Sequence, residues 1–126
     1  MIGLGLGLDF VEAEGVPAIH AREMALLTRL RDGLAAIPGV TLYRVDDLAD
    51  HVAVLSANVD GIHPQDVGAI LDGDFGIAVR VGVHCAPLVH RDLGTIERGS
   101  VRFSLGAFTT ADEIDAAIEA MYTIAV

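Results

Sequence analysis

The sequence contains no lysine, no tryptophan and a single cysteine, Cys85, and each of these shortages excludes a kind of chemistry or fold. All eight basic residues are arginines, so no side chain can form a Schiff base with a carbonyl compound. One cysteine cannot form a disulfide within the chain, and we therefore expect a reducing, cytoplasmic setting. With only four Phe and two Tyr, the core must consist mainly of aliphatic side chains.

The chain has a formal net charge of −10, and its arginines do not form a cluster in the sequence. We therefore expect no nucleic-acid partner, since phosphate binding needs grouped cations, and no anionic membrane surface, which would repel the chain. No stretch approaches the roughly 20 consecutive apolar residues of a membrane helix, and no basic segment of a signal peptide opens the sequence. At 126 residues, 52% of them hydrophobic, residues 1–126 are expected to form one soluble domain.

Apolar spacing and turn residues predict helices that alternate with short strands. The predicted helices are Pro17–Ala36, a shorter one that begins at Pro64 and ends at Gly73–Gly76, and a closing helix that begins with a capping box from Thr110 to Glu113. The predicted strands are Val40–Tyr43, Val52–Val59, Ile77–Arg80 and Ser100–Leu105. This order predicts a two-layer α+β domain, with a small, mostly antiparallel sheet and helices packed on one face.

The opening segment Met1–Leu8 alternates glycine with leucine or isoleucine, and its structure cannot be assigned from this pattern. Period-two spacing is typical of a strand, but repeated glycines weaken strands and helices alike. The spacing is G-x-G-x-G and no strand precedes it, which disfavours a dinucleotide-binding loop.

The segment from Arg80 to His90 is the densest cluster of reactive side chains in the sequence. It places the thiol of Cys85 next to His84 and after Gly82, whose backbone freedom permits a sharp turn. Cationic neighbours stabilise a thiolate, which is the reactive form of cysteine. Two alternatives remain open from the residues alone. One is a buried, inert cysteine, and the other is zinc ligation by His84, Cys85 and His90, whose spacing matches no familiar finger.

Arg102 alternates with the apolar residues Val101 and Phe103 in the last predicted strand. A charged side chain at such a position commonly faces solvent. The alternative is that Arg102 binds a carboxylate, because the guanidinium group matches carboxylate geometry with two parallel hydrogen bonds. The residue pattern leaves both interpretations open.

Three segments together resemble the C-terminal part of class V aminotransferase-fold cysteine desulfurases, especially the group with selenocysteine-lyase-like enzymes. They are Arg80-x-Gly82-x-His84-Cys85-Ala86-Pro87, Leu93-Gly94, and Ser100-Val101-Arg102-Phe103-Ser104. The resemblance extends over nearly the whole sequence. It implies the fold of the small domain of fold-type I pyridoxal-phosphate enzymes.

The resemblance also implies roles for individual residues. In that family a cysteine of this loop takes sulfur from a substrate bound to pyridoxal phosphate and becomes a persulfide, which assigns this role to Cys85. Arg102 corresponds to the arginine that binds the substrate carboxylate, and Arg80 to an arginine that lines the same site. His84 and Gly82 are expected to support the loop.

The family's larger domain, which carries the lysine that holds pyridoxal phosphate, has no counterpart in this sequence. We therefore expect the small domain alone, as a fragment or split-gene product, with no cofactor-binding or metal-binding residues of its own. The expected partner is a large domain that bears pyridoxal phosphate, and the chain could also form a homo-oligomer.

Three hypotheses of function follow from these observations. The chain is part of a cysteine desulfurase and inactive alone, or it is a non-enzymatic persulfide carrier or partner-binding module. A third class, aminotransferase or other lyase chemistry in the same superfamily, would use Arg102 but would not need a thiol at position 85.

Overall fold

The computed structural model describes residues 1–43 and 46–126. In chain order the elements are α1 (Ile2–Glu14), α2 (Val16–Ala35), β1 (Val40–Tyr43), β2 (Val54–Val59), α3 (Pro64–Phe75), β3 (Arg80–Gly82), α4 (Pro87–Asp92), β4 (Ser100–Ser104) and α5 (Ala111–Ala125).

The four strands form one antiparallel sheet in the order β1-β2-β4-β3. β4, the last strand in the chain, therefore pairs with β2 on one side and with β3 on the other. On β2 the side chains of Leu55, Ala57 and Val59 are buried, while the residues between them are only partly buried. This alternation places one face of the sheet against the core and directs the other face away from it.

Helices α2, α3 and α5 pack against the inner face of the sheet. The side chains between the helices and the sheet form a largely aliphatic core. The buried core residues are Leu27, Leu30 and Leu34 of α2, Val67 and Leu71 of α3, Val101 and Phe103 of β4, and Ile114, Ala117 and Met121 of α5. Full burial of one such Leu or Ile side chain is worth about 1.5–3 kcal/mol. The predicted α+β domain, with an antiparallel sheet and helices on one face, is confirmed.

All three predicted helices form with nearly the predicted bounds, and α3 runs from Pro64 to Phe75 before Gly76 ends it. α2 follows Gly15 and has Pro17 in its first turn, where the missing N–H of proline removes no helical hydrogen bond. α5 begins with the predicted capping box. The hydroxyl of Thr110 accepts from the N–H of Glu113 at 3.3 Å, and the carboxylate of Glu113 accepts from the N–H of Thr110 at 2.8 Å. Local backbone chemistry therefore specifies both starting points.

The third strand lies later in the chain than the prediction Ile77–Arg80. Its pairing with β4 runs from Arg80 to Gly82. The N–H of Ile77 instead donates to the carbonyl of Leu71 at 2.8 Å, so this residue completes the end of α3 before the chain reaches the sheet. Smaller corrections apply to two other strands: β2 begins at Val54 and not at Val52, and β4 ends at Ser104 and not at Leu105.

Two helices lie where the sequence pattern predicted none. The alternating segment Met1–Leu8 forms most of α1, which has no buried residue and leaves Leu4 and Leu8 more than half exposed. α4 is a helix of six residues shortly after the cysteine. No helix among the described residues combines the length and the apolar character that a membrane crossing requires.

Candidate active site

Four side chains form a row across the outer face of the sheet. The row consists of Tyr43 on β1, Ser56 on β2, Arg102 on β4 and Arg80 on β3, which are successive register partners. Directly paired residues of antiparallel strands project to the same face. The two arginines therefore stand side by side, on the face opposite to the core-facing side chains of Val101 and Phe103.

Arg102 is partly buried, and its Nε atom has no hydrogen-bond partner among the described residues. Within residues 1–43 and 46–126, neither Arg102 nor Arg80 takes part in an ion pair. Like charges placed directly opposite each other on two strands are destabilising. The two guanidinium groups are therefore suited to bind an anion, and a carboxylate matches their geometry.

Two further polar side chains, Asn58 and Ser100, lie beside the arginines on the same face. Nδ2 of Asn58 donates to the hydroxyl of Tyr43 at 3.1 Å and to the carbonyl of Gly99 at 3.0 Å. The Oδ1 atom of Asn58 and the hydroxyl of the fully buried Ser100 have no partner in the described part of the chain. Sequence reasoning missed both residues. For Asn58 the signal was available, because Ser56 and Asn58 alternate with buried apolar residues in β2.

Cys85 lies in a tight turn directly after β3. The turn spans residues 83–86 and is closed by a hydrogen bond from the N–H of Ala86 to the carbonyl of Val83 at 2.8 Å. Its central residues, His84 and Cys85, have φ angles of 53° and 58°. Positive φ at both central residues characterises a type I′ turn. Each strained residue of this kind costs roughly 1–3 kcal/mol and persists where the surrounding structure over-determines it, as at functional sites.

The turn places the thiol of Cys85 at the protein surface. The expectation that Cys85 is buried, which was one of the two alternatives, is therefore wrong. Gly82, just before the turn, has a φ of 104°, which residues with a Cβ atom rarely adopt. A Cβ atom added to Gly99 would collide with the backbone of Gly82, so the two glycines allow a close approach at the base of the cysteine turn.

His84 connects the turn to the arginine pair. Its Nε2 donates to the carbonyl oxygen of Arg80 at 3.2 Å, so the ring folds back toward β3. Burial lowers the pKa of His84, against the opposing effect of this hydrogen bond. The positive charges of Arg102, His90 and Arg80 lower that pKa further. The imidazole is therefore neutral at neutral pH and lies close enough to both arginines to sense their charge.

The rings of the two histidines of this segment are in tilted contact with each other. The ring centroids of His84 and His90 are 5.5 Å apart, with an interplanar angle of 43°. Among the described residues, no group of three or more His, Cys, Asp or Glu side chains is placed to hold a metal ion. Zinc ligation by His84, Cys85 and His90 thus has no geometric support in this part of the chain.

The candidate site is an open surface and not a cavity, since both Cys85 and Arg80 are exposed. A cavity of about 390 Å³ lies elsewhere, between α5, the end of β4 and residues 75–78 at the end of α3, and Phe75, Phe103 and Ile114 are among its lining residues. Binding sites for small molecules usually enclose most of the ligand. The described residues therefore do not enclose a ligand at this surface.

Comparison with known proteins gives the family of the chain. The family model for aminotransferase class-V matches residues 1–117. The chain belongs to the aminotransferase class-V family. This result agrees with the resemblance carried by the cysteine turn and the arginine strand.

This class-V chain is similar to proteins described as cysteine desulfurases. It is 35% identical over 115 residues to probable cysteine desulfurase 2 of Mycobacterium leprae (strain TN), covering 91% of this chain and 27% of that protein. The apo structure of cysteine desulfurase from Thermococcus onnurineus NA1 shares 37% identity with a TM-score of 0.91, over 98% of this chain and 30% of that one. The S-sulfonic acid form of a cysteine desulfurase from Escherichia coli shares 27% identity with a TM-score of 0.84. This match covers 99% of this chain and 30% of that one. The chain thus spans less than a third of the length of these relatives.

Proposed function

We propose that this chain is the C-terminal small domain of a pyridoxal-phosphate-dependent cysteine desulfurase-like protein. The thiolate of Cys85 attacks the sulfur atom of the substrate cysteine, the C–S bond of the substrate breaks with its electron pair left on carbon, and alanine is released after protonation while Cys85 carries the sulfur as a persulfide. Arg102 binds the substrate carboxylate, and Arg80 lines the same site. One observation carries the proposal: an exposed thiol lies on a strained turn directly after β3, whose Arg80 pairs with Arg102, and neither arginine has an ion-pair partner among the described residues. The similarity to cysteine desulfurases supports it.

The arginine pair fits a substrate that carries a carboxylate. A carboxylate accepts two parallel hydrogen bonds from one guanidinium group, and Nε of Arg102 is a donor that no described residue uses. The neighbouring charge of Arg80 adds attraction for the same anion. A neutral substrate would leave the two like charges opposed, so we infer an amino-acid substrate bound through its carboxylate.

The residues of this chain do not fit the covalent attachment of pyridoxal phosphate. That attachment needs a lysine side chain, and the sequence has none. Pyridoxal phosphate supplies the electron-withdrawing chemistry in the enzymes that the chain resembles. We therefore propose that a second lobe, which bears the lysine and the cofactor, completes the site, and that the chain is inactive alone. The open face of the sheet and the 27–30% coverage of the relatives support this partner.

A chimera tests the proposal. This chain replaces the matching segment of the Thermococcus onnurineus cysteine desulfurase, and the release of alanine from cysteine is measured. Cys85→Ala is expected to abolish release, because it removes the one thiol of the segment. Arg102→Lys is expected to raise KM for cysteine roughly tenfold or more, because a hydrogen bond to a charged group is worth about 1.5–3 kcal/mol and lysine cannot form the parallel pair.

Arg22→Lys is the matched control, since Arg22 lies on α2 in an exposed pair with Glu14. Undiminished alanine release by the Cys85→Ala chimera would contradict the proposal.

The exposed position of the thiol also favours a second candidate, a persulfide carrier. A carrier accepts sulfur without holding a carboxylate, so Arg102→Lys would then leave sulfur acceptance unchanged.

A further inference from the structure

His90 is a buried histidine that has no role in the proposed sulfur transfer. It lies on α4 and exposes only 3% of its surface. Its Nδ1 atom is 2.7 Å from the hydroxyl oxygen of Thr95, and this hydroxyl lies 3.4 Å from the carbonyl of His90 itself. The bond fixes the ring plane of His90, whichever of the two atoms carries the proton.

Thr95 is itself held between α4 and β4. Its N–H donates to the carbonyl of His90 at 2.8 Å, and its carbonyl accepts from the N–H of Gly99 at 2.6 Å. Gly99 in turn lies against the backbone of Gly82. Hydrogen bonds and close backbone packing therefore connect His90, through Thr95 and Gly99, to Gly82 at the base of the cysteine turn.

The ring of His90 contacts the ring of His84, with centroids 5.5 Å apart, which is within the usual range for aromatic pairs. On its other side, His84 bonds to the carbonyl of Arg80. These contacts form a continuous connection from Thr95 through both rings to β3. Because His84 is also a central residue of the strained turn, fixing its ring fixes the turn that carries Cys85.

We propose that His90 is a positioning residue for the thiol of Cys85. Held by Thr95, its ring keeps the His84 ring against Arg80 and so maintains the turn that presents the thiol at the end of β3. The purpose of this arrangement rests on the proposed function. The arrangement itself is measurable in this chain without any sulfur transfer.

The first experiment follows the imidazole NMR signals of the five histidines as a function of pH. In His90→Ala, the pKa of His84 is expected to rise, because the ring loses part of the covering side chains, and burial is the main cause of the lowered pKa. Arg80 on β3 and Arg102 on β4, whose charges also act on His84, are left in place. His20→Ala, on an exposed position of α2, is the matched control and should leave the His84 titration unchanged.

Thr95 provides the second pair of variants. Thr95→Val keeps the side-chain shape and removes the hydroxyl, so it is expected to shift the His84 titration as His90→Ala does. Thr95→Ser restores the hydroxyl and is expected to restore the titration. If the His84 titration is unchanged in folded His90→Ala and Thr95→Val, the proposal is wrong. If His90→Ala fails to fold, the Thr95 pair decides.

The chimera separates this proposal from the proposed function. His90→Ala is expected to lower kcat about tenfold to a hundredfold, as misplacement of a reacting group does, with KM for cysteine unchanged because Arg102 stays in place. A change confined to KM would overturn the positioning role. Full activity of Cys85→Ala would instead reject the proposed function and leave the NMR result standing.

Discussion

Two consecutive residues of the cysteine turn, His84 and Cys85, hold a backbone conformation that most side chains avoid. A left-handed conformation costs a residue with a Cβ atom roughly 1–2 kcal/mol. Hydrogen bonds and ring contacts on both sides of the turn keep it closed. Residue identity at these positions is therefore set by the side-chain chemistry and not by backbone preference.

This strain predicts the outcome of two substitutions at one position. Cys85→Gly is expected to be more stable than Cys85→Ala by about 1 kcal/mol, because glycine adopts positive φ without a steric penalty. Both variants lack the thiol, so the comparison isolates the backbone. Urea unfolding of the two variants measures the difference. Equal stability, or a more stable alanine variant, would contradict the assigned turn conformation.

The lowered pKa of His84 predicts how stability depends on pH. The folded chain binds a proton at His84 less readily than the unfolded chain does, so stability rises with pH between the two pKa values. The contribution is present above the ordinary histidine value of 6.5 and is lost as the pH falls through the folded value.

The free energy of unfolding of the unaltered chain, relative to His84→Asn, should therefore decrease as the pH is lowered through this range. Asparagine is a suitable replacement because it tolerates positive φ. If the difference in free energy of unfolding between the unaltered chain and His84→Asn does not change with pH, burial and the arginine charges do not lower the pKa of His84.

At the scale of elements, the cysteine turn depends on the shortest strand of the sheet. β3 pairs with β4 over three residues only, from Arg80 to Gly82. The close approach of Gly82 and Gly99 lies at the end of this pairing. Side-chain bulk at that point would separate the strands where the cysteine turn begins.

Gly99→Ala is therefore expected to destabilise the fold by about 2–4 kcal/mol, since it adds a collision with backbone atoms to the penalty of a positive φ. The matched control is Gly73→Ala on α3, where an added Cβ atom meets open space. This control is expected to stabilise the helix by about 0.5–1 kcal/mol. Denaturant unfolding measures both, and a neutral effect of Gly99→Ala would contradict the close packing of the two glycines.

The sequence predicts an element well where local chemistry and packing agree. In α2 the spacing of Leu27, Leu30 and Leu34 matches a helix that buries one face, and in α5 the capping box marks the start. α1 could not be assigned, because its glycine alternation carries no helical periodicity and its side chains find no core. The prediction placed β3 too early because the N–H of Ile77 donates to a carbonyl at the end of α3 and not to a neighbouring strand. The spacing of apolar residues does not show which of these two partners the N–H will have.

At the scale of the whole molecule, α1 is a helix without a buried side. Its apolar patch has two halves, with Ile2 and Leu6 on one side of the helix and Leu4 and Leu8 on the opposite side, and these four side chains are 61–84% exposed. The ring of Phe10 contacts Phe108 at a centroid distance of 5.0 Å, which anchors the far end of the helix only. An exposed apolar surface beyond a few hundred Å² is uncommon on monomeric proteins.

The chain is therefore expected to self-associate and to bind a hydrophobic dye. Leu4→Gln combined with Leu8→Gln should reduce both, because the double variant removes half of the apolar patch. Val52→Gln is the matched control, since Val52 is comparably exposed at 68% but lies outside α1. Sedimentation at several concentrations and dye fluorescence measure the effect. A monomer at all concentrations that binds no dye would contradict this prediction.

The candidate site could be predicted only in part, because the order of the strands in the sheet brings residues from distant segments together. Arg80, Cys85 and Arg102 are recognisable in the sequence, and the structure brings the two arginines to one face of the sheet. Ser56 and Asn58 join them because β4 lies between β2 and β3. Strand order depends on long-range pairing, which no local pattern of residues encodes.

The central place of β4 also has a consequence for synthesis of the chain. β1 and β2 can form a hairpin as soon as both have left the ribosome, whereas β3 has no neighbour in the sheet until β4 has been made. Cys85 is therefore translated before the strand that brings Arg102 beside Arg80. A nascent chain that stalls before Ser100 holds the thiol without the arginine pair, so the candidate site assembles only after β4 has been translated.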